Sequence, residues 1–437
     1  MDYTVKDVLK AEVRPALGCT EPVAVALGAA AAASLLAGGQ IDSIEVWVDP
    51  NTFKNGLAVS IPGTRGLSGL DLAAALGAVG GDPGLGLEVL RPVDEEALER
   101  AKELLGRGAV KIHLFSEPGL HVKTVLRAEG HRATSVIKGL HDRIVRLALD
   151  DREIKESPLL SELEEGEGES LGSLEGWLKG LSLEELVGMT GDLDGEDLEF
   201  LELGVIYNLR LAEYGLRHGP GLGVGKALEM LVRERLIKRD MVLQAKIITS
   251  AAADARMAGV KLPAMASAGS GNHGLTAVLP IWAVKDFVQC DHRKVLEAVC
   301  LSHLVTAYVK AHIGRLSAVC GCSVAAGSGA AAGVTYLMGG DLRQIAGAIS
   351  NLIEDLAGVI CDGAKEACAL KVGTAAGTAV QAALLALKGI SVSPRDGLVG
   401  ERVEQTVKNL GLLSREGMTE ADRTVLRIVM AKQPVVG

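Results

Sequence analysis

Hydrophobic spacing changes character along this chain of 437 residues. Residues 7–17 follow a short helix pattern, and 23–39 form a longer apolar run rich in Ala and Gly. Over residues 41–48 the pattern becomes strict alternation, which sets Ile44, Val46 and Val48 on one face of a strand. Residues 56–62 read as another strand, 67–79 as a helix and 94–107 as an amphipathic helix. Residues 111–115 and 122–128 predict a hairpin turned at Glu117-Pro118-Gly119, with a further strand at 133–138.

The second half reads differently. Residues 150–197 include an acidic, glycine-punctuated run at 162–169, expected as a solvated linker or mobile loop because so charged a stretch has little to pack. From residue 198 onward the spacing is almost wholly helical, at 233–257, 284–298, 303–311, 342–357 and 377–388, with Gly-rich loops between. The fold class expected is α+β. A mixed α/β domain spans 1–149, an acidic insertion or linker 150–197, and an all-α domain 198–437. No repeat recurs at a fixed period.

Composition narrows the picture. Aromatics are 3% and Gly numbers 54, as closely packed helices with small interfacial residues require. The net charge is −10 and no basic patch is present, which excludes a nucleic-acid partner. The run at 23–39 is too short for a membrane span and reads as a buried helix. The N-terminus is polar and amphipathic, without an export signal. Seven cysteines, an odd number, then imply reduced thiols in a cytoplasmic protein, suited to metal binding or catalysis. A homodimer is compatible with the chain.

Three segments carry candidate chemistry. Cys320-Gly-Cys322 and Cys361-Asp-Gly-Ala-Lys-Glu-Ala-Cys368 sit among Gly and Ala, with Cys361 and Cys368 seven residues apart. Thiolates grouped this way suggest a soft metal centre, with an iron–sulfur cluster as the leading candidate. Three thiolates would leave one iron open, a Lewis acid suited to catalysis. Zinc is the alternative, although its sites usually show Cys-x2-4-Cys pairs, and any one free cysteine is most often simply buried. Cys19 stands just before the 23–39 helix, where the positive helix end should lower its pKa and make it a base or nucleophile. Ser270, Gly271, Asn272 and His273 belong to a Gly-rich loop whose amides suit a carboxylate or phosphate. Arg315 is a candidate carboxylate ligand, and Asp362 and Lys365, between two cysteines, are candidates for the second shell of a metal or for substrate. His113, His121, His131 and His141 lack ligand spacing and read as surface or hairpin histidines.

Taken together, Gly18-Cys-Thr-Glu-Pro22, Gly269-Ser-Gly-Asn-His-Gly274, Cys320-Gly-Cys322 and Cys361-Asp-Gly-Ala-Lys-x-x-Cys368 resemble the L-cysteine desulfidase family, related to iron–sulfur L-serine dehydratases. The resemblance covers nearly the whole chain. It implies a [4Fe–4S] cluster on three cysteines and α,β-elimination from a small amino acid. Cys361 and Cys368 match two cluster ligands. The third is Cys320 or Cys322, with the distance to Met338-Gly-Gly340 favouring Cys320. Cys19 matches the family's proposed base, with substrate held by Ser270, Gly271, Asn272, His273, Arg315 and Lys365. The chain departs from the dehydratases where they carry a Ser-Ser-Ser-His-Thr-type loop, and its last ligand pair is closer together; both departures favour cysteine over serine. The alternatives are a serine/threonine dehydratase with the same cluster, a pyridoxal-phosphate lyase suggested by Ser-Gly-Asn-His, and a cluster-based redox sensor. The pyridoxal-phosphate reading lacks an early Ser-x-Lys and a late phosphate loop.

Overall fold

A computed structural model describes residues 3–36, 38–115, 119–161, 167–314 and 317–432, with no account of side chains at 167–172. The fold is α+β. The N-terminal part is built on a six-stranded sheet with β2 (Ile41–Val48), β3 (Val110–Leu114), β4 (His121–Ala128), β5 (His131–Lys138), β6 (Ile144–Leu149) and β7 (Arg152–Ile154), in the order β3-β2-β4-β5-β6-β7. As its alternation predicts, β2 buries Ile44, Val46 and Val48 completely, each such burial being worth roughly 1.5–3 kcal/mol. They share a core with the helices Thr20–Ala33, Leu70–Gly80 and Glu95–Gly106.

Pairing in this sheet corrects two expectations. The hairpin expected from β3 to β4 does not form, because β2 lies between them. β2 and β3 are parallel, with Ile44 opposite Val110, and a parallel pair needs a long crossover, supplied here by the intervening helices. Its expected turn falls on Glu117 and Pro118, outside the described residues. The hairpin is β4–β5, turned at Glu129 and Gly130, whose φ values of 51° and 83° suit a type I′ turn. The strand expected at 56–62 is replaced by the helix Pro50–Gly56. Asp49 caps that helix by accepting from the Asn51 and Thr52 amides at 3.0 Å, and Pro50 occupies the first turn.

The expected 7–17 helix also divides. It spans Val5–Glu12 and then gives way to β1 (Val13–Ala16), since Pro15 lacks the amide a helix would need. β1 pairs antiparallel with β8 (Ala264–Ser267), Val13 lying opposite Ser267. This small sheet ties the N-terminus to the helical part.

That helical part is one large core. The helix Met241–Met257 packs against Cys368–Leu387 and Gly195–His218, and Gly271–Lys285, His292–Ile313, Gly327–Leu337 and Leu342–Leu356 complete the bundle. The patterns read as continuous at 233–257 and 284–298 are each interrupted. Asp240 and Asp291 restart the chain by capping the Leu243 and Lys294 amides at 2.8 and 2.7 Å. In the stretch expected as a linker, residues 162–166 are outside the described set, while Leu174, Leu178, Leu183 and Leu186 are buried in the helical core. Cys368–Leu387 is long and apolar enough to cross a membrane, yet 56% of its most apolar window is buried inside the protein.

Candidate active site

Between the sheet part and the helical bundle lies a cavity of about 100 Å³. Its wall takes residues from segments far apart in sequence, around Cys19, Lys54, His141, Asn272, Cys320 and Cys361. Helix starts converge on it. Cys19 is the N-cap of Thr20–Ala33, Ser270 that of Gly271–Lys285, and Cys368 begins Cys368–Leu387. Each start carries unpaired amides and a partial positive charge, so the cavity favours anions.

All four cysteines of the two C-terminal motifs line it: Cys320, Cys322, Cys361 and Cys368. An antiparallel bridge, Val319 with Ile360, joins the two loops. There the Cys320 amide donates to the Val359 carbonyl at 2.8 Å, and the Cys361 amide to Ala318 at 2.7 Å. Cys322 opens a turn of π-helix, Cys322–Ala326, a rare element common at functional sites. The thiols feel one another. A hydrogen bond from Cys322 holds the Cys320 thiol down to about 5 against the effect of burial, and the same bond pushes Cys322 up. Burial raises Cys361, with Cys320 adding to it, and raises Cys368 to about 11. Within this pair Cys320 ionises first.

This donor set fits an iron–sulfur cluster. Four thiols from two bridged loops share one largely enclosed cavity. Among the described residues no three His, Cys, Asp or Glu side chains stand close enough to grip a single metal ion. A lone zinc would need its sulfurs about 2.3 Å from a common point, whereas a cluster spreads its thiolates over several atoms. Asp362 pins the second loop. Its carboxylate pairs with Lys365 at 2.5 Å and with Lys371, and these lysines hold its pKa down to about 2 against burial.

Cys19 does not behave as its helix position alone predicts. Its thiol is buried and donates to Glu21 Oε2 at 3.0 Å. Burial, reinforced by the Glu21 charge, pushes its pKa well above the usual thiol range, overriding the helix end. The ionised group is Glu21. Burial alone would raise it, but His141, the Cys19 thiol and the Asn55 amide (Nδ2 to Oε1, 2.8 Å) together hold it below the ordinary carboxylate value. His141, read as a hairpin histidine, lines the cavity with Nε2 at 4.0 Å from Glu21 Oε1.

The Gly-rich loop is present as expected. Ser270, Asn272 and His273 line the cavity, and Gly271 begins the helix between them. Burial and Lys310 push His273 down to about 3, so its imidazole is neutral, with Nδ1 3.2 Å from the Ser267 carbonyl. Lys365 does not line the cavity. Its ammonium is engaged by Asp362 and by the Gly363 carbonyl at 3.1 Å. Arg315 lies outside the described residues. Glu21, Asn55, His141, Lys54, Lys310 and Arg256 are cavity residues that sequence reasoning passed over. Only Glu21 carried a signal, its place in the Gly-Cys-Thr-Glu-Pro motif.

Comparison with known proteins places this site in a family. Residues 85–427 match the serine dehydratase alpha chain family. A UPF0597 protein of Desulfatibacillum aliphaticivorans is 59% identical over 435 residues, covering 99% of both chains. Another from Desulfotalea psychrophila is 57% identical over 432 residues, again covering 99% of each. A third, from Clostridioides difficile, is 44% identical over 426 residues, covering 97% of this chain and 98% of its own.

Proposed function

The chain belongs to the serine dehydratase alpha chain family, and from that premise we propose that it is an iron–sulfur lyase acting on L-cysteine. The reaction removes the α-proton and expels sulfide, and water then releases ammonia from the resulting aminoacrylate to leave pyruvate. The single observation that carries this reading is the meeting, in one anion-favouring cavity, of the four C-terminal thiols with the Cys19–Glu21 pair and the 269–274 loop.

Cys361, Cys368 and Cys320 would hold the cluster. When bound, it supplies a Lewis-acidic iron to a small polar substrate. The remaining steps belong to the chain. Glu21 accepts the Cys19 thiol proton across their 3.0 Å hydrogen bond, and the thiolate so formed takes the α-proton. Charge thus returns to the carboxylate's neighbour, with His141 close to Glu21. The buried surroundings of Cys19 exclude water from this transfer. Pairing a poorly acidic α-proton with a base made only on demand suits general-base catalysis.

The family name points to serine as a second substrate. The test is direct. Protein purified without oxygen is assayed for iron, sulfide and colour, then for pyruvate from L-cysteine and L-serine side by side. Iron with acid-labile sulfide and a preference for cysteine is expected. A preference for serine overturns the substrate assignment, and a preparation holding only zinc overturns the cluster.

A further inference from the structure

One cavity group is a cation that the elimination above leaves without a role. Arg256 stands in the last turn of the helix Met241–Met257 and is 2% exposed. Its Nη1 donates to Asn272 Oδ1 at 3.0 Å and its Nη2 to the Gly18 carbonyl at 2.7 Å. Both acceptors are neutral. Its Nε is buried without a hydrogen-bond partner. Among the described residues no carboxylate oxygen comes within 4.0 Å of the guanidinium. Glu21, the carboxylate of the same cavity, is engaged by Cys19, Thr20 and Asn55.

A guanidinium cannot shed its proton in a protein, and a buried charge is costly unless an opposite charge meets it. The surroundings hold this one in place. A Cβ on Gly271 would lie 2.3 Å from Arg256 Nε, so only glycine lets the guanidinium press against the loop. Asn272 is committed as well, its Oδ1 to Arg256 and its Nδ2 to Met257 Sδ at 3.5 Å. The side chain expected from sequence to hold a carboxylate therefore orients the arginine instead.

We propose that Arg256 is the carboxylate receptor of this cavity, so that the site selects ligands by that group and Asn272 positions the guanidinium. The identity of the ligand as an α-amino acid rests on the lyase reading; the need for an anion at Arg256 does not. A planar fork of donors matches a carboxylate in a way that a lysine at this position would not.

The test is ligand-induced thermal stabilisation of the full chain, purified without oxygen, using L-cysteine, L-serine and the amides of both. The acids should stabilise the protein, and the amides should bind roughly 10- to 150-fold more weakly, the range for a hydrogen bond to a charged group. Arg256→Gln should lose the discrimination between acid and amide, and Arg256→Lys should recover part of it. Amides that bind the wild type as tightly as the acids overturn the proposal, as does an Arg256→Gln protein that still discriminates. The wild-type comparison decides the matter if the variant does not fold. If neither amino acid binds, the lyase reading fails, and pyruvate and succinate against their amides then test Arg256 alone. Equal binding, or none, overturns it.

Discussion

The Cys19 thiol and the Glu21 carboxylate share a 3.0 Å hydrogen bond inside the cavity. That bond reverses the simple picture of a helix-activated thiolate, because the thiol is protonated at rest and the carboxylate carries the charge. A base of this kind works only as a pair. Glu21→Gln should therefore lower kcat by about 10²–10⁴, the usual scale for losing a general base. Cys19→Ala should do the same, and the double variant should be little worse than either single one. The check is exchange of the cysteine α-proton with deuterated solvent. It should stop in each variant while iron content stays unchanged. Additive losses would show that the two residues act separately.

The bridge between the two cysteine loops leads to a second expectation. Cys320 and Cys361 are fixed by backbone hydrogen bonds on either side of one antiparallel bridge, whereas Cys322 stands in the π-turn beyond it. Cys320→Ala, Cys361→Ala and Cys368→Ala should each lose iron and visible colour. Cys322→Ala should keep both. Iron analysis with absorption spectra decides it, and the reverse result for the 320/322 pair would hand the ligand role to Cys322.

Acid should weaken the protein in a defined window. Burial holds His303 down to about 4, and burial with nearby cations holds His312 to about 4. An unfolded histidine titrates near 6.5. Between those values the unfolded chain binds protons that the folded chain refuses. Stability is thus fully present above about pH 6.5 and falls as pH drops towards 4, by up to ~1.4 kcal/mol per pH unit for each histidine. Asp254 opposes this, because burial raises it to about 6 and protonation there favours the folded state. Urea melts of the wild type and His303→Gln, at pH 7.5 and 5, isolate the histidine contribution. The variant should lose less stability on acidification.

The C-terminal helix should depend on a single ion pair. Lys54, buried at the cavity wall, meets Asp422 at 2.5 Å, while the helix Thr419–Ala431 that carries Asp422 has no buried residue. Asp422→Asn should release that helix at a cost of about 1–3 kcal/mol. Faster limited proteolysis after residue 418, with the rest of the chain intact, is the readout. An unchanged cleavage rate would mean the helix is held by other contacts.

Where the physics was local, the sequence was readable. Alternation alone set Ile44, Val46 and Val48 inward, and the Gly/Ala setting of Cys320, Cys361 and Cys368 marked the loops that line the cavity. What failed was long-range. The parallel partner of β2 lies some 65 residues on, so β3 looked like the arm of a hairpin with its sequence neighbour. Asp49-Pro50 did announce a helix start, and the signal was overlooked. Arg256 and His141 left no trace in sequence. Each is an ordinary residue in an ordinary element, and only tertiary packing makes one a buried cation and the other a neighbour of Glu21.

The cavity wall runs from Cys19 to Cys368, and that span dictates an order of events during biosynthesis. The thiols become a donor set only after translation has passed the last of them and the bundle has closed around it. Loading of a metal centre is consequently a late, post-translational step. Until then the nascent thiols are exposed to oxidant, so yield in the cell should follow oxygen tension and the supply of assembly factors more closely than the stability of the finished fold.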